Sequence, residues 1–252
     1  MVQASEPSES RYWLAGGSKA LPHLTVAGLR FAAEHSRLLD LNLFFSEAKL
    51  ERLGGVNVVE TQAAQQLISE MRQHDSLLAE VVVCRVVDNF LCYITDLLAL
   101  IYEERPEMLR SAEQERLDFI LQYQSMDELR TAIAEKKVER LAYLGLRDLA
   151  AHMQSNMGFS LFPSDAQLEQ AALLVEYRNL FVHTRGIVSA TSARRFPTLK
   201  AELGKRVAIH LREVRELRQF LENAVLEIDV RAVQKFGLPT VDLPPHPDEA
   251  HI

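Results

Sequence analysis

The run Glu176-Tyr177-Arg178-Asn179-Leu180-Phe181-Val182-His183-Thr184-Arg185-Gly186 places a guanidinium, an amide and an imidazole within six residues. Arginine stays charged and grips phosphate oxygens in a bidentate fork. Histidine, with an ordinary pKa of about 6.5, moves protons at neutral pH. Together they suit cleavage of a phosphodiester by a neighbouring 2′-hydroxyl. That reaction needs a proton removed from the attacking oxygen, a proton given to the leaving oxygen, and compensation of charge on the phosphoryl group. With 3.6 residues per turn, Asn179 and His183 fall on one helix face, and Arg178 reaches in from one side. Asn179 is thereby expected to orient the imidazole. The competing structural reading makes Arg178 an ordinary ion-pair residue and His183 a cation favoured by the helix C-terminus.

These side chains must be held by helices. Gly (10) and Pro (9) are sparse, and 48% of the 252 residues are apolar, enough for a substantial core. Three-and-four periodicity predicts helices over 58–74, 76–104, 125–143, 146–157, 165–186 and 205–234, with a further helical stretch within 24–53 broken by Gly54-Gly55. The long apolar run ends at Arg105-Pro106, because proline disfavours a helical residue before it. Ser125 with Glu128, and Ser164 with Gln167, have the spacing of capping boxes. The expected fold is all-α, an up-down core of four to five long helices with short ones added. Residues 1–22 are expected to be a disordered N-terminal tail, 23–56 a helical extension, 57–236 one helical domain, and 237–252 a disordered C-terminal tail.

Charge is unevenly spread. The chain carries a net −7, yet from Arg178 to Arg218 ten basic residues face three acidic ones. That segment is +7 and the remainder −14, an asymmetry that concentrates an anionic ligand at one place. Arg185, Arg194, Arg195 and Lys200 are the candidate RNA-binding residues of this segment. Solvated helix faces are the plainer alternative, with Arg212 and Glu216 as an i,i+4 pair.

Other chemistries find little support. Cys84 and Cys92, eight apart in an apolar run, are too distant along a helix to bridge, and no Cys-x-x-Cys or His-x-x-x-His spacing suggests a metal. No metal or cofactor is therefore expected. The N-terminal Met1-Val2-Gln3-Ala4-Ser5-Glu6-Pro7 lacks the basic and then apolar pattern of a signal peptide, so a cytoplasmic protein is expected. Residues 81–101 are apolar enough to suggest a membrane span. Arg85, Asp88, Asn89 and Asp96 interrupt them, and a buried bundle helix is the expectation.

The arginine-to-histidine run resembles the motif of the HEPN family, whose ribonuclease members carry arginine, a polar residue such as asparagine, and histidine in this spacing, often followed by a glycine turn. The likeness extends over about residues 76–230. It takes in the long helix 76–104, the segment Ser125-Met126-Asp127-Glu128-Leu129 and the charged helix Glu135-Lys136-Lys137-Val138-Glu139-Arg140-Leu141-Ala142-Tyr143. The resemblance implies a HEPN-type bundle in which Arg178 and His183 are catalytic and Asn179 positions them. It also implies a homodimer whose two motif helices form one cleft. Some members carry a tyrosine two residues after the histidine, where partner nucleotidyltransferases modify them; here that position is Arg185, which puts such control in doubt. The function implied is a metal-independent endoribonuclease that leaves a cyclic phosphate and acts as a toxin or phage-defence effector, with an antitoxin or regulatory protein as possible partner. The alternative is a non-catalytic module that binds RNA or a nucleotide, or an oligomerising adaptor.

Overall fold

The computed structural model describes residues 23–44, 74–110 and 114–242. Helices dominate: α1 (Val26–Phe44), α2 (Asp75–Glu104), α3 (Leu117–Ile120), α4 (Met126–Ala142), α5 (Leu146–Met157), α6 (Asp165–Thr184), α7 (Ala190–Arg195) and α8 (Leu211–Phe236). Single 3-10 segments occupy Pro106–Leu109 and Pro197–Glu202. The all-α class expected from periodicity is what the chain adopts. Two-residue strands, β1 (His23–Leu24) and β2 (Val241–Asp242), pair antiparallel.

The bundle is organised around α2. Its 30 residues bury Val82, Val83, Val86, Val87, Phe90, Tyr93, Ile94, Leu97, Leu98, Ile101 and Tyr102, and α1, α4, α6 and α8 all pack against it. Apolar side chains around most of its circumference are what a helix enclosed by others requires. No described helix is long and apolar enough to cross a membrane. Two of the polar side chains within the apolar run bond to α1: Asn89 donates to the carbonyl of Phe31 at 3.2 Å, and Arg85 pairs with Glu34 at 3.0 Å.

Local signals at the helix ends act as their chemistry dictates. The hydroxyl of Ser125 accepts from the amide of Glu128, whose carboxylate accepts from the amide of Gln124. Ser164 likewise accepts from Gln167. Helix α8 begins at Leu211, six residues later than expected, because 204–207 are drawn into extended pairing with 186–188. There Val188 donates to Lys205, Gly204 to Val188 and Val207 to Gly186. The Glu213 carboxylate then accepts from the His210 amide at 2.9 Å as the helix starts.

The boundaries of the packed unit also differ from the sequence reading. Within the 23–56 extension, α1 is part of the core: Ala27 and Phe31 are buried, and its start is pinned by Asp229 of α8. That carboxylate accepts from the amide of Thr25 at 2.8 Å, the Thr25 hydroxyl at 2.6 Å and the Tyr93 hydroxyl at 3.1 Å. Gly28 lets α1 approach so closely, since a Cβ there would lie 2.9 Å from the same carboxylate. Residues 237–242, expected to be tail, bury Leu238 and supply β2. Residues 58–73 of the expected helix 58–74, the Gly54-Gly55 break and the tails 1–22 and 243–252 lie outside the described residues, while His74 precedes α2 as a turn residue.

Candidate functional site

Helix α6 turns Ala171, Ala172, Leu174 and Leu180 into the core, which fixes the direction of the remaining face. Its last two turns carry Arg178, Asn179 and His183. The helix closes through a left-handed turn: Arg185 has φ +57° and Gly186 φ +80°, and the amide of Gly186 reaches back to the carbonyl of Leu180 at 2.8 Å. The structure places the first positive φ on Arg185, a conformation that costs an L-residue about 1 kcal/mol. Gly186 is also sterically constrained, because a Cβ would come within 3.2 Å of Arg206 Cγ.

Arg178 is held from two sides. Its Nε donates to Oδ1 of Asp88 on α2 at 2.8 Å, and its Nη1 donates to Oδ1 of Asn179 at 3.1 Å. The guanidinium is therefore oriented by one carboxylate and one amide. Asn179, expected to orient His183, has its oxygen engaged by Arg178. His183 is exposed on the final turn, and no hydrogen bond or ion pair to it is found among the described residues. One turn from Asp88, the Cys84 thiol is half-buried; burial, reinforced by the Asp88 charge, pushes its pKa up and keeps it protonated. A second arginine meets α2 nearby, with Arg206 bound to both oxygens of Glu80 at 2.9 and 3.1 Å.

The pairing of 186–188 with 204–207 closes a loop of residues 189–203 that begins two turns of chain beyond His183. Its inner side is anchored by buried Ser192, Phe196 and Leu199, while Arg194, Arg195 and Lys200 are exposed. Arg147 secures it from α5: its guanidinium stacks on the Phe196 ring at 4.2 Å, donates to the Arg195 carbonyl at 3.3 Å, and pairs with both oxygens of Glu169. That carboxylate's pKa is lowered, chiefly by its hydrogen bond from Arg147. Arg185, Arg194, Arg195 and Lys200 are thus exposed cations on or beside one anchored loop. Lys205 pairs with Glu202 and Arg206 with Glu80, so part of the segment's charge is compensated locally.

His183 is exposed, and the Arg178 side chain is 27% exposed. A cleft of about 420 Å³ lies elsewhere, lined by Arg110, Lys136, Arg140 and Tyr143, and neither motif residue reaches it. Among the described residues, no group of three or more His, Cys, Asp or Glu is gathered to hold a metal ion. Sequence reasoning missed Asp88 and Arg147. Asp88 was visible only as a charge interrupting an apolar helix, and such a charge implies a partner without naming it. No protein-family model, curated protein or solved structure matches the chain.

Proposed function

We propose that this protein is a HEPN-type endoribonuclease, cleaving RNA through its 2′-hydroxyl to a cyclic phosphate without a catalytic metal. The observation that carries the reading is the arrangement at the end of α6: Arg178 fixed by Asp88 and Asn179, with His183 exposed one helical turn further on. The end of α6 thus carries an oriented guanidinium and, five residues on, an accessible imidazole, the two group types that charge compensation and proton transfer require. The exposed cations of the 189–203 loop offer phosphate contacts along an RNA strand.

One histidine per motif supplies an acid or a base but not both at once. A homodimer with its two motif helices together provides the second. Val182 and Ile187, 53% and 46% exposed on either side of His183, offer apolar surface for that contact. The biological role that follows from the resemblance is that of a toxin or defence effector, neutralised by an antitoxin or regulatory protein. The second reading is a non-catalytic RNA-binding module. It is favoured by the absence of any group orienting His183 among the described residues, and by an Arg178–Asp88 pair that would serve a structural role equally well.

Incubating the purified chain with defined single-stranded RNAs in excess chelator separates the two readings. The nuclease yields fragments ending in a cyclic phosphate, and a 2′-deoxy substitution at the cleaved position stops the reaction. Binding without cleavage across varied RNAs leaves the module, and loss of cleavage on adding chelator refutes the metal-independent mechanism.

A further inference from the structure

The arginine of the motif is met by a carboxylate that lies 90 residues earlier in the chain. Asp88 belongs to α2, against which α1, α4, α6 and α8 pack, and its neighbours Val87 and Phe90 are 1% and 0% exposed. Its backbone is therefore fixed by the core, although its side chain is 36% exposed beside the 27%-exposed Arg178. A group on such a platform can define where its partner points. Arginine has five N–H groups. Asp88 takes the one on Nε and Asn179 one on Nη1, and no other acceptor meets the rest among the described residues.

We infer that Asp88 is a positioning residue, which holds the Arg178 guanidinium by its Nε edge and leaves the remaining Nη hydrogens directed at a phosphoryl oxygen of RNA. The inference rests on the ribonuclease reading of the same site and adds to it the residue that orients the arginine. Asp88 acts only through Arg178. Without it the long side chain keeps its charge and can still meet phosphate, but it loses the orientation that charge compensation in the transition state requires. The carboxylate's influence should therefore fall on turnover more than on binding. A partly exposed ion pair adds little to stability, so folding should be nearly indifferent to its loss.

The test uses the full chain with a defined single-stranded RNA and three variants. Asp88→Ala should lower kcat by up to about 100-fold while KM moves by less than about twofold, with an unchanged melting temperature. Asp88→Glu, which restores a charged acceptor, should recover most of the loss, and Asp88→Asn, an uncharged acceptor, should lie between. The inference is overturned if Asp88→Ala turns over like the wild type, or if Asp88→Glu is no better than Asp88→Ala. It is overturned equally if Asp88→Ala binds RNA more tightly and cleaves it faster, since the carboxylate would then be a competitor of phosphate.

A second measurement does not depend on cleavage. In nitrogen-15-labelled protein the Arg178 Nε–H resonance should be resolved and slow to exchange, and should collapse into the envelope of exposed arginines in Asp88→Ala. If the wild type cleaves no RNA, the ribonuclease reading fails and the catalytic role of Asp88 falls with it. The resonance still decides whether Asp88 holds Arg178, and an unchanged Nε–H in Asp88→Ala overturns the clamp itself.

Discussion

Two carboxylates, Asp229 and Asp88, each join helices by hydrogen bonding, and they do so in opposite surroundings. Asp229 is fully buried at the junction of α1, α2 and α8, and all three donors that reach it come from the protein's own Thr25 and Tyr93. Burial pushes its pKa up, while hydrogen bonds from Thr25 and then Tyr93 oppose that shift. Asp88 is partly exposed, and the arginine it holds has donors to spare. A saturated, desolvated network locks helices together. A half-used cation at the surface has capacity left for a ligand. The contrast separates the polar groups that build this fold from those available to act on something else.

The largest expected effects lie at the motif. Arg178→Ala and His183→Ala should each reduce RNA cleavage by at least about 10³-fold, equivalent to about 4 kcal/mol of transition-state stabilisation, with circular dichroism and melting temperature unchanged. A variant that loses activity only by unfolding would place these residues with Asp229, on the structural side of the comparison. Asp229→Ala should give the reverse pattern. It leaves the Thr25 and Tyr93 donors without their acceptor, and urea titration should show a loss of about 3 kcal/mol. Retained stability would show that the network is not what docks α1.

Neutralising Arg194, Arg195 and Lys200 together should weaken RNA binding and make it less sensitive to salt. Each lost phosphate contact removes about 0.7 from the slope of log affinity against log salt for a single strand. An unaltered slope would place the RNA path away from the 189–203 loop.

Acid should weaken the α1 side through His35. This imidazole is fully buried, stacked on Phe31 at 4.9 Å and 3.6 Å from the Glu222 carboxylate, with Arg218 also facing it. Burial lowers its pKa below the ordinary 6.5, against the pull of Glu222. Between the two values the unfolded imidazole binds a proton and the folded one does not. The stability contributed by the neutral side chain is therefore present above pH 6.5 and lost as pH falls through the folded value. Urea titrations at descending pH should show this loss, and His35→Gln should reduce it.

The smallest effect concerns the turn after the motif. Arg185→Gly should relieve the left-handed strain and raise stability by about 1 kcal/mol, against some loss of RNA affinity if this cation touches phosphate. Stabilisation without any change in binding would assign Arg185 to the turn alone.

Local chemistry makes much of the architecture legible in the sequence. The Ser125 and Ser164 caps, the Pro106 stop and the span of α5 follow from hydrogen-bond and backbone preferences within a few residues. The start of α8 differs from its periodicity because residues 204–207 bond to 186–188 through the amides of Gly204 and Val207 and the carbonyl of Lys205, a partner that periodicity cannot reveal. The same limit governs the site. The sequence by itself determined that Arg178, Asn179 and His183 share the last turns of one helix, because a 3.6-residue repeat fixes that spacing. Only the tertiary structure decided that Asp88 meets Arg178, that Asn179 turns its oxygen to the arginine instead of to the histidine, and that Arg147 anchors the basic loop. Those choices depend on which helix faces lie together, and helix packing is settled by the whole core rather than by neighbouring residues.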